Sequence, residues 1–203
     1  MIIFQNISIK FNNKIILENF NLNIKKGEKI LISGASGKGK TTLLKTLLGF
    51  TLPNSGNIFV DNIKLNEKNI NNIRSKIAYM PQSTPFLNTK VEKLINTIFN
   101  YKQNLNINFE MVKLIKILKE FDLDSSILSK DITQLSGGEK QRLAFVILIL
   151  LDRKIWILDE ITSSLDQDMK QKVTNYILKT DKTVLLVSHD KTESLNNFRT
   201  VIL

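Results

Sequence analysis

Several residue types are missing or rare in this chain of 203 residues, and each absence excludes a class of protein. The lack of cysteine excludes a disulfide framework, a thiolate metal site and a cysteine nucleophile. No apolar run approaches the roughly 18 residues of a membrane-spanning helix, and the N-terminus lacks the basic start and long apolar core of a signal peptide. We therefore expect a cytoplasmic protein that reaches the inner face of the cell membrane only through a partner.

Basic residues outnumber acidic ones, which gives a formal charge of +10 and a pI of about 9.7. Such a charge is typical of proteins that bind nucleic acid or an anionic membrane surface. The lysines are spread along the chain, however, and no ladder of aromatic residues accompanies them. We expect no nucleic-acid partner, while proximity to an anionic bilayer fits the charge equally well.

Short apolar runs alternate with segments of helical spacing, and this alternation is typical of an α/β protein. The candidate strands are 2–9, 15–17, 21–24, 29–32, 57–60, 77–80, 155–158, 183–187 and 200–203. The more apolar of them suit central parallel strands that are covered on both faces. A chain of 203 residues can bury a sizeable core, so we expect a single domain over 1–203.

The sequence pattern changes between residues 83 and 134. Two segments in this range, 90–100 and 109–121, have the spacing of amphipathic helices. The apolar stripe expected on the second helix consists of Val112, Ile115 and Leu118. We therefore predict a core formed by 1–82 and 135–203, with a helical subdomain inserted at about 83–134.

One glycine-rich stretch, 34–42, fits the phosphate-loop pattern G-x-x-x-x-G-K-[ST]. An apolar strand precedes it and a helical pattern follows it, which is the context that this motif requires. Glycines let the backbone wrap a polyphosphate, so that amide groups and the helix N-terminus face the negative charge. Lys40 is expected to reach the β- and γ-phosphates, and the Thr41 hydroxyl to hold Mg²⁺. The residues predicted to contact the nucleoside triphosphate are Gly34, Ala35, Ser36, Gly37, Lys38, Gly39, Lys40, Thr41 and Thr42.

A second glycine pair occurs in the stretch Leu-Ser-Gly-Gly-Glu at 135–139. Ser136 followed by Glu139 forms a capping box at a helix N-terminus. A capping box does not require two adjacent glycines, each of which weakens a helical turn by roughly 1 kcal/mol. Glycines are useful where the backbone must approach a phosphate closely, so we predict that Ser136, Gly137 and Gly138 bind nucleotide.

Two carboxylates follow the apolar strand at 155–158, at the end where ligands bind in open α/β sheets. Asp159 is expected to support Mg²⁺, directly or through water. Glu160 is expected to polarise the attacking water. An apolar strand that ends in Asp-Glu is common, but after a phosphate loop it indicates a nucleotide-hydrolysing site.

Two further polar residues stand at the ends of candidate strands. His189 is the only histidine in the chain and follows the strand at 183–187, where it is expected to contact the γ-phosphate. Gln82 follows the strand at 77–80 and is expected to sense Mg²⁺ or the attacking water. We therefore add Gln82 and His189 to Glu160 as candidate catalytic residues, and Gln82 to the metal site.

In combination and in order, these motifs resemble the ATP-binding cassette (ABC) family of transporter ATPases over essentially the whole chain. The matching segments are the Walker A loop at 34–41, Gln82 of the Q-loop, the signature at 135–139, the Walker B strand at 155–159 with Glu160, the D-loop at 164–166 and the switch residue His189. The resemblance implies a P-loop NTPase fold of the ABC type. Such a fold has a mainly parallel core sheet, an N-terminal antiparallel β part and a helical insert.

The resemblance also implies cofactors and partners. ATP and Mg²⁺ would bind between the Walker A loop of one cassette and the signature of another, because cassettes of this family pair head to tail. One cassette therefore implies a second copy of itself, together with an integral-membrane permease. By position, Phe11 would stack on the adenine and Asp166 of the D-loop would contact nucleotide.

Three segments resemble a subgroup, the FetA-type ATPases of a two-component exporter linked to iron efflux, whose membrane half is FetB. These segments are 126–132, 159–163 and 189–191. Two other functions stay open from the residues alone. One is the ATPase of a different exporter, of peptides, lipids or drugs, and the other is a soluble cassette such as an iron–sulfur assembly factor.

Overall fold

The computed structural model describes residues 1–11, 14–188 and 193–203. The strands in these ranges are β1 (Ile2–Phe11), β2 (Lys14–Ile24), β3 (Lys29–Ser33), β4 (Ser55–Val60), β5 (Ile63–Lys64), β6 (Ile77–Met80), β7 (Ile155–Asp159), β8 (Thr183–Val187) and β9 (Arg199–Ile202). The α-helices are α1 (Lys40–Leu47), α2 (Ile70–Arg74), α3 (Val91–Phe99), α4 (Met111–Glu120), α5 (Gly137–Leu151) and α6 (Gln167–Lys179). None of these helices has both the length and the apolar character needed to cross a bilayer.

The core sheet is parallel and has the strand order β6-β7-β8-β3-β9. Every residue of β7 and β8 is buried, as expected for central strands with helices on both faces. Their side chains alternate between two apolar layers. Ile155 and Ile157 pack with β1, β2 and α1, whereas Trp156 and Leu158 pack with α3, α4, α5 and α6. The predicted parallel core is confirmed.

The N-terminal antiparallel sheet has the order β2-β1-β4-β5 and confirms the second part of the predicted fold. The prediction of two separate strands at 15–17 and 21–24 was wrong, because β2 runs through both. Asn6 and Asn19 take positive φ angles of 51° and 47° where the β1–β2 register shifts. The Asn6 N–H donates to Asn21 Oδ1 at 2.9 Å, so side chains bridge the irregularity and the strand continues.

The helical segment contains α3 and α4, close to the predicted positions, but of the stripe predicted on α4 only Leu118 is buried. Leu114 and Ile117 are buried with it, whereas Val112 is 80% and Ile115 is 42% exposed. Residues spaced by three drift around a helix by about 60° at each step, so Val112 and Ile115 lie off the buried face. The apolar residues of α3 and α4 join the same cluster as those of α5 and α6. The division into a core and a helical subdomain stays a prediction.

Candidate active site

The phosphate loop connects β3 to α1 at the carboxyl edge of the parallel sheet. Two of its glycines have positive φ and no room for a side chain. A Cβ at Gly34 would lie 2.9 Å from the carbonyl oxygen of Leu203, and a Cβ at Gly39 would lie 2.4 Å from Cγ2 of Ile16. The loop is therefore held between Leu203, directly after β9, on one side and β2 on the other, and its curvature depends on glycine.

Lys40 begins α1, and its long side chain is only 6% exposed. The ammonium group donates hydrogen bonds to the carbonyl oxygens of Gly34, at 2.8 Å, and Ala35, at 3.1 Å. A buried positive charge is thus fixed inside the loop, beside the N-terminus of α1. Both features attract anions, and the phosphate-binding role that the motif predicts for them is consistent with this placement.

Thr41 and Asp159 are brought together from the first turn of α1 and the end of β7. The Thr41 hydroxyl lies beside the carboxylate of Asp159, a residue that is 4% exposed. Burial raises the pKa of the Asp159 carboxyl, and the interaction with Thr41 partly offsets this rise. The neighbouring Glu160 raises the pKa as well. Lysine charges oppose this shift, that of Lys45 more than that of Lys40.

The oxygen donors of Thr41 and Asp159 fit Mg²⁺, which is held in phosphoryl-transfer sites by one or two protein oxygens together with substrate phosphates and water. Within 1–11, 14–188 and 193–203, no group of three or more His, Cys, Asp or Glu side chains forms a metal cluster.

Gln82 and Glu160 meet across 78 positions of sequence, because the adjacent parallel strands β6 and β7 end at the same edge. Gln82 Nε2 donates to Glu160 Oε2 at 2.7 Å. Glu160 has a positive φ of 50°, and its N–H donates to the Val187 carbonyl at 2.9 Å. A left-handed conformation at a non-glycine residue costs roughly 1–3 kcal/mol and persists where the surroundings impose it, often at functional sites.

The residues of the phosphate loop and the Gln82–Glu160 pair open onto one pocket of about 420 Å³. It is lined by Ile16, Ser36, Gly37, Gly39, Lys40, Thr41, Thr42, Gln82 and Glu160. A larger pocket of about 590 Å³ lies between 52–58 and 64–68 and shares none of these residues. The smaller pocket is the better candidate for the active site, since it is lined by the phosphate loop and by the residues that follow the carboxyl ends of β6 and β7.

The comparison with protein families agrees with this geometry, because the sequence profile of ABC transporters matches residues 17–163. The chain belongs to the ABC transporter family. It carries the ATPase cassette of that family, with the fold that the sequence predicted. The dimeric structure of MJ0796, a bacterial ABC transporter cassette, superimposes with a TM-score of 0.85 at 28% identity, covering 100% of this chain and 94% of that chain. A post-hydrolysis MJ0796 dimer bound to ADP and Pi gives 0.82 at 28% identity and covers the same shares, 100% and 94%.

Relatives of the cassette differ greatly in length. It is 34% identical over 193 residues to the probable iron export ATP-binding protein FetA of Escherichia coli (strain K12), covering 93% of this chain and 84% of that protein. It is 35% identical over 183 residues to the ABC transporter ATM1 of Plasmodium falciparum (isolate 3D7), covering 88% of this chain. The cassette spans only 17% of the length of ATM1.

The signature residues of the cassette lie at the start of α5. Ser136 and Glu139 form the predicted capping box, with the Glu139 N–H donating to Ser136 Oγ at 3.1 Å and the Ser136 N–H donating to Glu139 Oε2 at 2.8 Å. A Cβ at Gly138 would lie 3.2 Å from the Ser164 carbonyl oxygen, so close packing of the D-loop is a local reason for this glycine. None of Ser136, Gly137 and Gly138 lines the pocket of their own chain.

The remaining predicted residues have more varied positions. Asp166 caps α6, its Oδ1 accepting the Met169 N–H at 2.8 Å. Phe11 ends β1 with its side chain 46% exposed and does not line the pocket. Ile16 lines it instead and was missed, because nothing local in an apolar strand residue signals contact with a distant loop. His189 lies outside the described residues.

Proposed function

We propose that this cassette is the ATP-hydrolysing subunit of an ABC transporter, in which two copies close around two ATP molecules and drive a separate membrane permease. The observation that carries the proposal is that Lys40 and Thr41 line the same pocket as the Gln82–Glu160 pair. Asp159 adjoins this pocket through its interaction with Thr41. The test is ATP turnover and ATP-dependent dimerisation in variants of Lys40 and Glu160.

In this proposal the residues divide the chemistry among them. Lys40 and the loop amides bind and orient the phosphates. Thr41 and Asp159 would hold Mg²⁺, which would supply positive charge to neutralise the charge that develops on the phosphate. Glu160 orients the attacking water and accepts its proton. The hydrogen bond from Gln82 fixes one oxygen of the Glu160 carboxylate, so the base is oriented before ATP is hydrolysed.

The dimer is proposed from the position of the signature. Ser136, Gly137 and Gly138 do not line their own pocket, and an exposed helix N-terminus is suited to bind an anion held by another chain. MJ0796, which matches the cassette over its whole length, is described as dimeric. A second copy of this chain is therefore the simplest partner for closure over ATP.

Contact with the permease is assigned to the loop between β6 and α3. In this loop Phe86 packs partly against the core, whereas Leu87 is 61% exposed. Leu87 follows Gln82 at the carboxyl edge of the sheet. A permease helix resting there would touch the loop that positions Glu160, which offers a route from transport to hydrolysis. This contact would hold the cassette peripherally at the cytoplasmic face of the membrane.

Replacing Leu87 by aspartate should reduce co-purification with the membrane partner at least tenfold, because burying a leucine contributes about 1.5–3 kcal/mol and a buried unpaired charge costs more. Basal ATPase activity should stay within about twofold of that of the unaltered protein. The matched control is Leu105→Asp, since Leu105 is similarly exposed, at 63%. It follows Gln103 and Asn104, which bind Arg153 at the opposite end of β7. Equal co-purification of the two variants would contradict the assignment.

For the substrate we propose iron or a related metal ion, exported through the permease, as supported by the resemblance to FetA-type proteins over 93% of the chain. The permease would select the substrate. The alternatives are export of a peptide, lipid or drug, and a soluble role in iron–sulfur assembly.

Deleting the gene should raise total cellular iron about twofold or more and increase sensitivity to peroxide, because retained iron converts peroxide into damaging radicals. Iron content by mass spectrometry of washed cells is the measurement. Complementation with the unaltered gene should restore it, whereas a Glu160→Gln gene should not. Unchanged iron together with intact binding to a permease would remove iron as the substrate and leave the transporter proposal standing.

A further inference from the structure

Gln141 is a buried amide in the second turn of α5 that neither the phosphate loop nor the carboxylates explain. Its side chain is 3% exposed, in a helix whose neighbouring buried residues are almost all apolar. Nε2 donates to Ser163 Oγ at 3.3 Å, and Oε1 accepts the Ser164 N–H at 3.1 Å. Both ends of the amide are thus satisfied by one short segment beyond Glu160.

The same segment packs against the first turn of α5. A Cβ at Gly137 would lie 3.9 Å from Ser164 Cβ, and one at Gly138 would lie 3.2 Å from the Ser164 carbonyl oxygen. Gln141 lies one turn after Gly137 and therefore on the same side of the helix. The amide and the two glycines hold Ser164 against the signature end of α5.

From this segment the connection to Glu160 is short. The Ser163 N–H donates to the Glu160 carbonyl at 3.3 Å, and the Leu165 N–H donates to the Thr162 carbonyl at 3.1 Å. Ser163 and Ser164 are exposed, so their hydrogen bonds to a buried side chain restrict a turn that solvent would otherwise loosen. Glu160 itself has the strained φ of 50° that needs such support.

We propose that Gln141 is a positioning residue for hydrolysis: it anchors 163–164 to the signature end of α5 and so fixes the backbone that carries Glu160. The inference rests on the proposed function, since it assigns the support of the proposed base. Packing alone does not explain a glutamine at this buried position. A leucine of similar size would fill the same space and would not need hydrogen-bond partners.

Gln141→Leu removes both hydrogen bonds and keeps the volume. We expect kcat for ATP hydrolysis to fall about tenfold, because small displacements of a catalytic group have effects of this size or larger. The KM for ATP should stay within about twofold, since Lys40 and Thr41 are untouched. Ser163→Ala, which removes one of the two bonds at an exposed position, should lower kcat about threefold at unchanged KM. The double variant should be no slower than Gln141→Leu alone, because both changes break one connection.

The matched control is Thr174→Val in α6, which also replaces a buried polar side chain by an apolar one of similar shape. Thr174 is 4% exposed and donates only to the Lys170 carbonyl, at 2.8 Å, within its own helix. The Thr174→Val variant should lower the melting temperature by an amount similar to Gln141→Leu yet leave kcat unchanged.

If Gln141→Leu folds poorly, the kcat of Ser163→Ala decides whether the inference holds. A kcat within twofold of the unaltered protein for Ser163→Ala, or additive effects of the two changes, would overturn the inference. Failure of the unaltered protein to hydrolyse ATP would instead overturn the proposed function.

Discussion

Glu160→Gln should lower steady-state ATP turnover by at least about a hundredfold, because a general base contributes that much or more and an amide cannot accept the proton. Binding of ATP should be unaffected, since Lys40, Thr41 and Asp159 remain. The ATP-bound state should therefore accumulate as a dimer. Phosphate release measures the first effect, and light scattering with and without ATP measures the second. Near-normal turnover in this variant would refute the assignment of Glu160 as the base.

The dimer itself is tested by adding Gly137→Asp to the Glu160→Gln protein. Among the described residues outside its own helical turn, the nearest atoms to a Cβ at Gly137 are those of Ser164 at 3.9 Å, so the substitution fits within its own chain. In the proposed dimer it would place a negative charge beside the phosphates held by the partner, where like charges repel. ATP should still bind, but the ATP-dependent dimer should disappear. Gly137→Ala is the matched control and should preserve it. An ATP-dependent dimer in the aspartate variant would show that the signature does not face nucleotide.

Lys40→Ala should reduce ATP turnover at least a hundredfold, because it removes a buried charge aimed at the phosphates, and single preorganised donors are worth about that much. The carbonyl oxygens of Gly34 and Ala35 also lose a donor, so the loop should become less ordered. Phosphate release and titration with a fluorescent nucleotide provide the measurements. Lys116→Ala, on the exposed face of α4, makes the same change in net charge and should have no effect. Retention of more than a tenth of normal turnover would contradict the proposed role of Lys40.

The positions in the candidate site that could be predicted from the sequence are those that follow from strand ends, while the roles of these residues stay predictions. Parallel strands that are neighbours in a sheet end at one edge, so polar residues directly after β6 and β7 had to meet there, as Gln82 and Glu160 do. The phosphate loop was equally predictable, since its glycines, lysine and threonine form one continuous segment. In both cases local sequence and one packing rule were sufficient.

The parts that sequence reasoning missed depend on contacts between distant segments. Ile16 reaches the phosphate loop only because β2 is paired into a sheet that packs against α1. Gln141 is a polar residue in the second turn of a helix. Its hydrogen-bond partners, Ser163 and Ser164, come within reach only when 163–164 folds against that helix. Neither position has a local pattern that separates it from an ordinary strand or helix residue.

Residues that suggested the iron subgroup have local tasks in the fold. At the start of a short 3-10 helix, Asp124 Oδ1 accepts the Ser126 N–H at 2.8 Å. At the start of the following 3-10 helix, Gln134 Oε1 accepts the Asp131 N–H at 2.8 Å. Such caps stabilise turns in any cassette. Similarity in this segment therefore supports the fold more strongly than it supports a substrate.

The position of β3 between β8 and β9 affects how the protein folds during translation. β3 leads into the phosphate loop, but both of its partners in the sheet, β8 and β9, are synthesised much later than β3 itself. A nascent chain emerging from the ribosome thus exposes an apolar strand without its partners until β8 and β9 have followed. Pairing across so much sequence is slow because of the entropy of closing a long loop. The ability to bind nucleotide is consequently acquired only after β8 and β9 have been synthesised, and until then the unpaired strand is an aggregation hazard.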